Sequence, residues 1–219
     1  LSCYAFIAAR SQAKVLKGQP KAPKKTLAFG VIIKQPVFIF LTLLTFGYGA
    51  VEFGNANWFV SYAQNGLGFT GEQSRNLLAF FTAGMVISRL TFPFLLRFVS
   101  VHRMIVIMAT ASLAGVFALK LMPSFYGIGA GNLMLGLGLG GLFPLALSAA
   151  MNIDSDNGPV LSGISIIGNS TGVQVASFST GLWANFVPLT TAFWVIPLGG
   201  CVLWLASYGY SRKIKYHRS

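Results

Sequence analysis

Charge is what this sequence has least of. Only 9% of its 219 residues are charged, and four of those are acidic: Glu52, Glu72, Asp154 and Asp156. A soluble domain needs roughly 25% charged residues to keep its surface wet, so a water-exposed monomer is excluded. Cysteine is nearly absent. Cys3 and Cys201 sit far apart inside apolar runs, which gives neither a disulfide framework nor metal-ligand spacing. The two histidines, His102 and His217, lie in basic, solvated segments and do not read as ligands. The start of the chain, Leu1 to Ala9, has no initiator Met and no basic n-region, so it is a poor signal peptide. It reads as the end (1–9) of a truncated transmembrane helix.

What is present is apolar length. Hydrophobic side chains make up 54% of the chain, and a spanning helix needs about 20 of them in a row to cross roughly 30 Å of hydrocarbon. After a basic connector (10–35), six such spans follow over 36–210: 36–62, 77–96, 104–119, 126–151, 160–186 and 191–210. A basic tail, 211–219, closes the chain. The expected fold is all-α, a polytopic transmembrane helix bundle of six spans plus the end of a preceding one. Strands of an outer-membrane barrel would alternate in polarity over about 10 residues; these runs are uniformly apolar, and a barrel is rejected.

Sixteen cations against four acids give +12, which in a soluble protein would point to nucleic acid. Their placement excludes that reading. Seven lie between Arg10 and Lys34, four more in the last eight residues, and none between Lys120 and Arg212. Basic clusters bracketing apolar runs follow the positive-inside rule. With the connector on the cytoplasmic side, six crossings return the tail to the same side. The loop holding Asp154 and Asp156 carries no cation and is the misfit. The expected location is multi-pass in the cell (plasma or inner) membrane, in contact with lipid.

Ionisable and polar side chains inside a span usually face a cavity or another helix. Glu52 is the only acid within a span. Helical spacing aligns Tyr48, Glu52, Asn55 and Phe59 on one stripe, with Asn57 and Trp58 beside it. A carboxyl there can accept and release a proton during transport, and Glu52 is the candidate for proton coupling. The competing reading is a Glu held permanently by Arg89 or by an Asn amide. Arg89 reads either as a gating residue or as a cation snorkelling to the headgroups. The fifth span, from Ser162 to Gln174, is the most polar. Asn169 and Gln174 are expected to line a water-filled path, and Gly168 with Gly172 forms a GxxxG pair that permits close helix approach.

Other motifs dissolve in context. Gly136, Gly138 and Gly141 match a dinucleotide fingerprint, but no strand precedes them and no acid follows at the required distance. They read as packing glycines. Asn169-Ser170-Thr171 matches a glycosylation acceptor in mid-membrane. Asp154-Ser155-Asp156-Asn157-Gly158 resembles the start of a calcium loop, yet its twelfth position is Ser165. No catalytic triad, metal cluster, phosphate loop or cofactor motif remains, and no enzyme is expected.

Six spans after a basic connector and a truncated span resemble the C-terminal half, helices 7 to 12, of a major facilitator superfamily transporter. The stretch Gly84-Met85-Val86-Ile87-Ser88-Arg89, followed by Arg97, His102 and Arg103, is similar to that family's loop motif between helices 8 and 9. The motif usually has Gly before the Arg and an Asp in the loop, where this chain has Ser88 and no acid. More narrowly, Tyr48–Trp58 and Leu142-Phe143-Pro144-Leu145 through Asn169 resemble the fucose–proton symporter and sugar permease group. The resemblance implies a site lined by spans one, two, four and five, with Trp58 stacking on a sugar ring. It also implies a missing N-terminal six-helix half as partner, and alternating access about a central site. The expected function is proton-coupled secondary transport of a small polar solute, a sugar among the candidates. Tyr48, Asn55, Trp58, Asn169 and Gln174 would bind it. The alternatives are a drug or metabolite exporter of the same fold and a non-transporting membrane scaffold.

Overall fold

The computed structural model describes Gly30, residues 34–154 and residues 156–218, with side chains through Ile214. The expected helix end 1–9 lies outside the described residues, as does the connector apart from Gly30, Lys34 and Gln35. Every regular element among the described residues is helical.

Helix α1 (Pro36–Ser61) starts on a proline whose missing N–H is one that a first turn leaves unpaired anyway. It runs on into a π-helical turn, Tyr62–Gly66. A reciprocal capping box opens α2 (Gly71–Leu95): Thr70 Oγ1 accepts from the Gln73 amide at 3.2 Å, and Gln73 Oε1 accepts from the Thr70 amide at 3.0 Å. Next comes α3 (Val101–Leu121). Ser124 caps α4 (Phe125–Leu139) by accepting from the Gly127 amide at 3.1 Å. Gly140 and Gly141 interrupt this column before α5 (Leu142–Met151). Then follow α6 (Gly158–Ala184), the short α7 (Leu189–Ala192) and α8 (Val195–Arg218). The segment 211–219, expected as a tail, therefore continues the last helix as far as Arg218.

Five stretches are long and apolar enough to cross a membrane: Pro36–Gly66, Gly71–Leu95, Val101–Leu121, Phe125–Met151 and Leu189–Ile214. These five mark an integral membrane protein. The fifth expected span, now α6, has the length at 27 residues but is absent from that set. Its serines, threonines, Asn169 and Gln174 dilute the apolar run.

The elements form six columns: α1, α2, α3, α4–α5, α6 and α7–α8. The most extensive packing joins first to fifth, second to fourth, first to sixth, third to fourth, and third to sixth. Exchanging columns one, two and three for four, five and six leaves that set unchanged. The chain is thus two three-helix units packed alike. Adjacent columns also run in opposite directions. The ends of α1 and α3 meet the start of α7–α8 at Lys120, while the starts of α1 and α3 meet the ends of α5 and α8 around one cavity. With three helices per unit, the second unit is inverted relative to the first.

Glycine sets the closeness of two seams. A Cβ on Gly136 of α4 would stand 2.1 Å from the Phe81 carbonyl oxygen of α2, and one on Gly172 of α6 would stand 1.9 Å from that of Phe46 on α1. Without side chains there, the backbones touch.

Candidate functional site

The polar side chains singled out from the sequence sit in three places. At the first, α1 presents Tyr48 and Glu52 toward Arg89 of α2. The Tyr48 hydroxyl, the Glu52 carboxyl and the Arg89 guanidinium lie within electrostatic reach of one another. Tyr48 is buried and stacks on Phe143 of α5, centroids 5.3 Å apart. Arg89 Nε also donates to the Gly140 carbonyl at 3.3 Å, where the fourth column breaks. A break in a membrane helix frees backbone acceptors that need partners, and Arg89 supplies one donor. Arg89 as a whole stays exposed, with its Nε held on the fourth column. Glu52 itself is half-buried. This cluster joins columns one, two and four around an acid, a base and a phenol.

At the second place, Asn55 is fully buried and its Nδ2 donates to Asn132 Oδ1 of α4 at 3.2 Å. Asn55 Oδ1 and Asn132 Nδ2 are buried without hydrogen-bond partners. Asn132 escaped the sequence reading. Its signal was available: it is an amide in the middle of a glycine-rich run that carries no charge from Leu121 to Ile153.

The third place is the seam between α1 and α6. Trp58 Nε1 donates to the Ser177 carbonyl at 3.2 Å, and Asn57 Nδ2 donates to Ser177 Oγ at 3.2 Å. Asn169 faces Gly49, where a Cβ would stand 2.6 Å from its Oδ1; that oxygen is buried without a partner. Gly168 and Gly172 lie on the same seam, against Thr42 and Phe46. Gln174 is exposed, as is Ser170 one turn earlier. Of the five residues expected to bind solute, Gln174 alone presents an exposed side chain. Tyr48 and Asn55 are buried, and Trp58 and Asn169 are part of a helix seam.

A cluster that the sequence did not advertise holds the opposite end. Lys120 Nζ donates to the Thr190 carbonyl and lies over two rings, 5.0 Å from the Tyr62 centroid and 5.2 Å from that of Trp194. Tyr62 in turn donates to the Leu119 carbonyl at 3.2 Å and stacks on Phe193 at 4.1 Å. Columns one, three and six are pinned together there.

A cavity of about 710 Å³ opens at the basic end of the bundle, between the starts of α1 and α3 and the ends of α5 and α8. None of the seven sequence-derived site residues lines it. Among the described residues no cluster of His, Cys, Asp or Glu could hold a metal ion. The calcium-loop-like segment closes on itself instead: Asp154 Oδ1 accepts from the Asp156 amide at 3.1 Å and Oδ2 from Asn157 Nδ2 at 2.9 Å.

Comparison of the chain with protein-family models, with curated proteins and with solved structures returned no match.

Proposed function

We propose that the chain is part of a secondary transporter, the C-terminal half of a major facilitator-like protein, that moves a small polar solute with a coupling proton by alternating access. The observation that carries this reading is the cluster of Glu52, Tyr48 and Arg89 at the break of the fourth column. An acid and a base inside apolar spans are costly and are functional sites by default. Protonation of Glu52 removes its charge from beside Arg89 and so changes what holds α1 against α2. Solute binding and helix movement can both be tied to such a change. The two inverted three-helix units give support, since nested inverted repeats are how this class builds rocking halves. The partner would be a second six-helix half, the membrane would be the plasma or inner membrane, and a neutral sugar is the first solute to try.

The test is transport by the full protein in proteoliposomes, with a panel of labelled neutral sugars. Glu52→Gln should reduce proton-driven accumulation at least tenfold while leaving exchange of labelled for unlabelled sugar, which needs no net proton movement, close to wild type. Unchanged accumulation would remove the coupling role.

A scaffold reading has one observation in its favour. Asn55, Asn57 and Trp58 direct their donors to neighbouring helices, as packing residues do. It requires that no solute moves, so accumulation of any sugar excludes it.

A further inference from the structure

We propose that the cavity at the basic end binds the phosphate group of an anionic membrane lipid. The proposal is independent of the transport reading. Its volume of about 710 Å³ suits a headgroup with the first part of its acyl chains. The lining mixes amide, hydroxyl and imidazole groups of Gln35, Ser100, His102 and Asn152 with the apolar side chains of Val37, Val101, Ile153 and Ile214. A soluble anion has no use for the apolar groups; a lipid does.

Cations outnumber acids around the cavity. Lys34, Arg103 and Lys213 are exposed, and each is the immediate chain neighbour of a lining residue, Gln35, His102 and Ile214 respectively. Two acids lie nearby: Asp154, with both carboxyl oxygens engaged within its own turn, and the exposed Asp156 beyond it. Two helices, α1 and α3, begin at the cavity and two, α5 and α8, end there, so the helix-end charges offset one another and the exposed cations set the sign. The positive-inside rule assigns this end to the cytoplasm, where the leaflet carries anionic lipid and basic pockets between membrane helices receive headgroups.

The purified chain in detergent, titrated with dioleoyl phosphatidylglycerol or dioleoyl phosphatidylcholine and read by native mass spectrometry, tests this. The anionic lipid should be retained at least tenfold better than the zwitterionic one. The double variant R103Q/K213Q changes only exposed side chains and should cut that preference at least fivefold, whereas Arg75→Gln at the opposite end should leave it intact. Ala149→Phe, which fills the cavity, should lower retention of both lipids. Hydrogen exchange should show segments 100–103 and 148–153 protected by phosphatidylglycerol. Equal retention of the two lipids, or an unchanged preference in R103Q/K213Q, overturns the proposal. Displacement of the lipid by millimolar inorganic phosphate overturns the lipid assignment in favour of a soluble anion.

Discussion

A pair of buried amides that makes one hydrogen bond and leaves two atoms unpaired is an unusual choice for membrane spans. Asn55 and Asn132 do this. Interhelical polar bonds in membranes average about 0.6 kcal/mol with a ceiling near 1.7, because the unpacked helices also find partners. A double-mutant cycle on Asn55→Ala and Asn132→Ala, followed by reversible unfolding in detergent, should return a coupling energy in that range. A value of zero would mean that the contact is incidental. Lys120 is a stronger case. Its ammonium has a carbonyl and two ring faces, and cation–π contacts away from water contribute about 2 kcal/mol. Lys120→Met keeps the stem and loses the charge. It should destabilise the fold by about 1–3 kcal/mol in the same assay and loosen α7, seen as faster hydrogen exchange over 189–193. At this scale the sequence was legible where a residue broke its local pattern, as Glu52 and Arg89 do. It was silent where the partner decides. Nothing in the spacing of Lys120, Tyr62 and Trp194 announces that they meet, since each sits on a different column.

At the scale of elements, apolar length located the helices well. Each of the six runs overlaps one column, with ends off by up to eight residues, and five of the columns are long and apolar enough to cross a membrane, because hydrocarbon thickness fixes how long a span must be. Two features did not follow from hydropathy. The fourth column breaks at Gly140–Gly141, which reads in the sequence as more of the same glycine-rich run. The pairing of columns is also hidden, because a helix apolar on every side does not declare its packing face. Glycine was the exception. The Gly168/Gly172 pair pointed to a close seam, and α6 meets α1 there. Gly172→Leu should therefore separate the backbones and cost several kcal/mol of stability, more than the about 1–3 typical of overpacking, because the obstructing atom is a carbonyl oxygen. Gly163 lies on the same helix with nothing within 4 Å of a built Cβ. Gly163→Ala should be neutral or stabilise by up to about 1 kcal/mol. Thermal unfolding of the two variants side by side separates seam from surface. Equal effects would sink the seam argument.

For the molecule as a whole, the informative surface is the open face of α6. Successive helix residues advance by about 100°, which places Ser170 and Gln174 with Gly163 on a polar strip of the exposed arc, between Ile166 on one side and Val175, Phe178 and Leu182 on the other; all but Gly163 of these seven are exposed. The apolar flanks suit lipid. The polar strip does not, and it belongs to the one column that falls short of the hydropathy of a membrane span. A transporter half places such a strip along an aqueous path; a scaffold covers it with a partner. With Cys3 and Cys201 replaced by Ser, single cysteines at 170, 174 and 175 distinguish the two in lipid vesicles. A membrane-impermeant maleimide should label Ser170→Cys and Gln174→Cys and spare Val175→Cys, which a lipid-soluble maleimide should reach. Asn55→Cys, fully buried between α1 and α4, should resist both. In the full protein the first two sites should become protected when transported sugar is added, since solute and reagent would compete for the same water. Labelling that is absent at both sites, with or without the rest of the protein, would remove the aqueous path and leave packing as the purpose of these side chains.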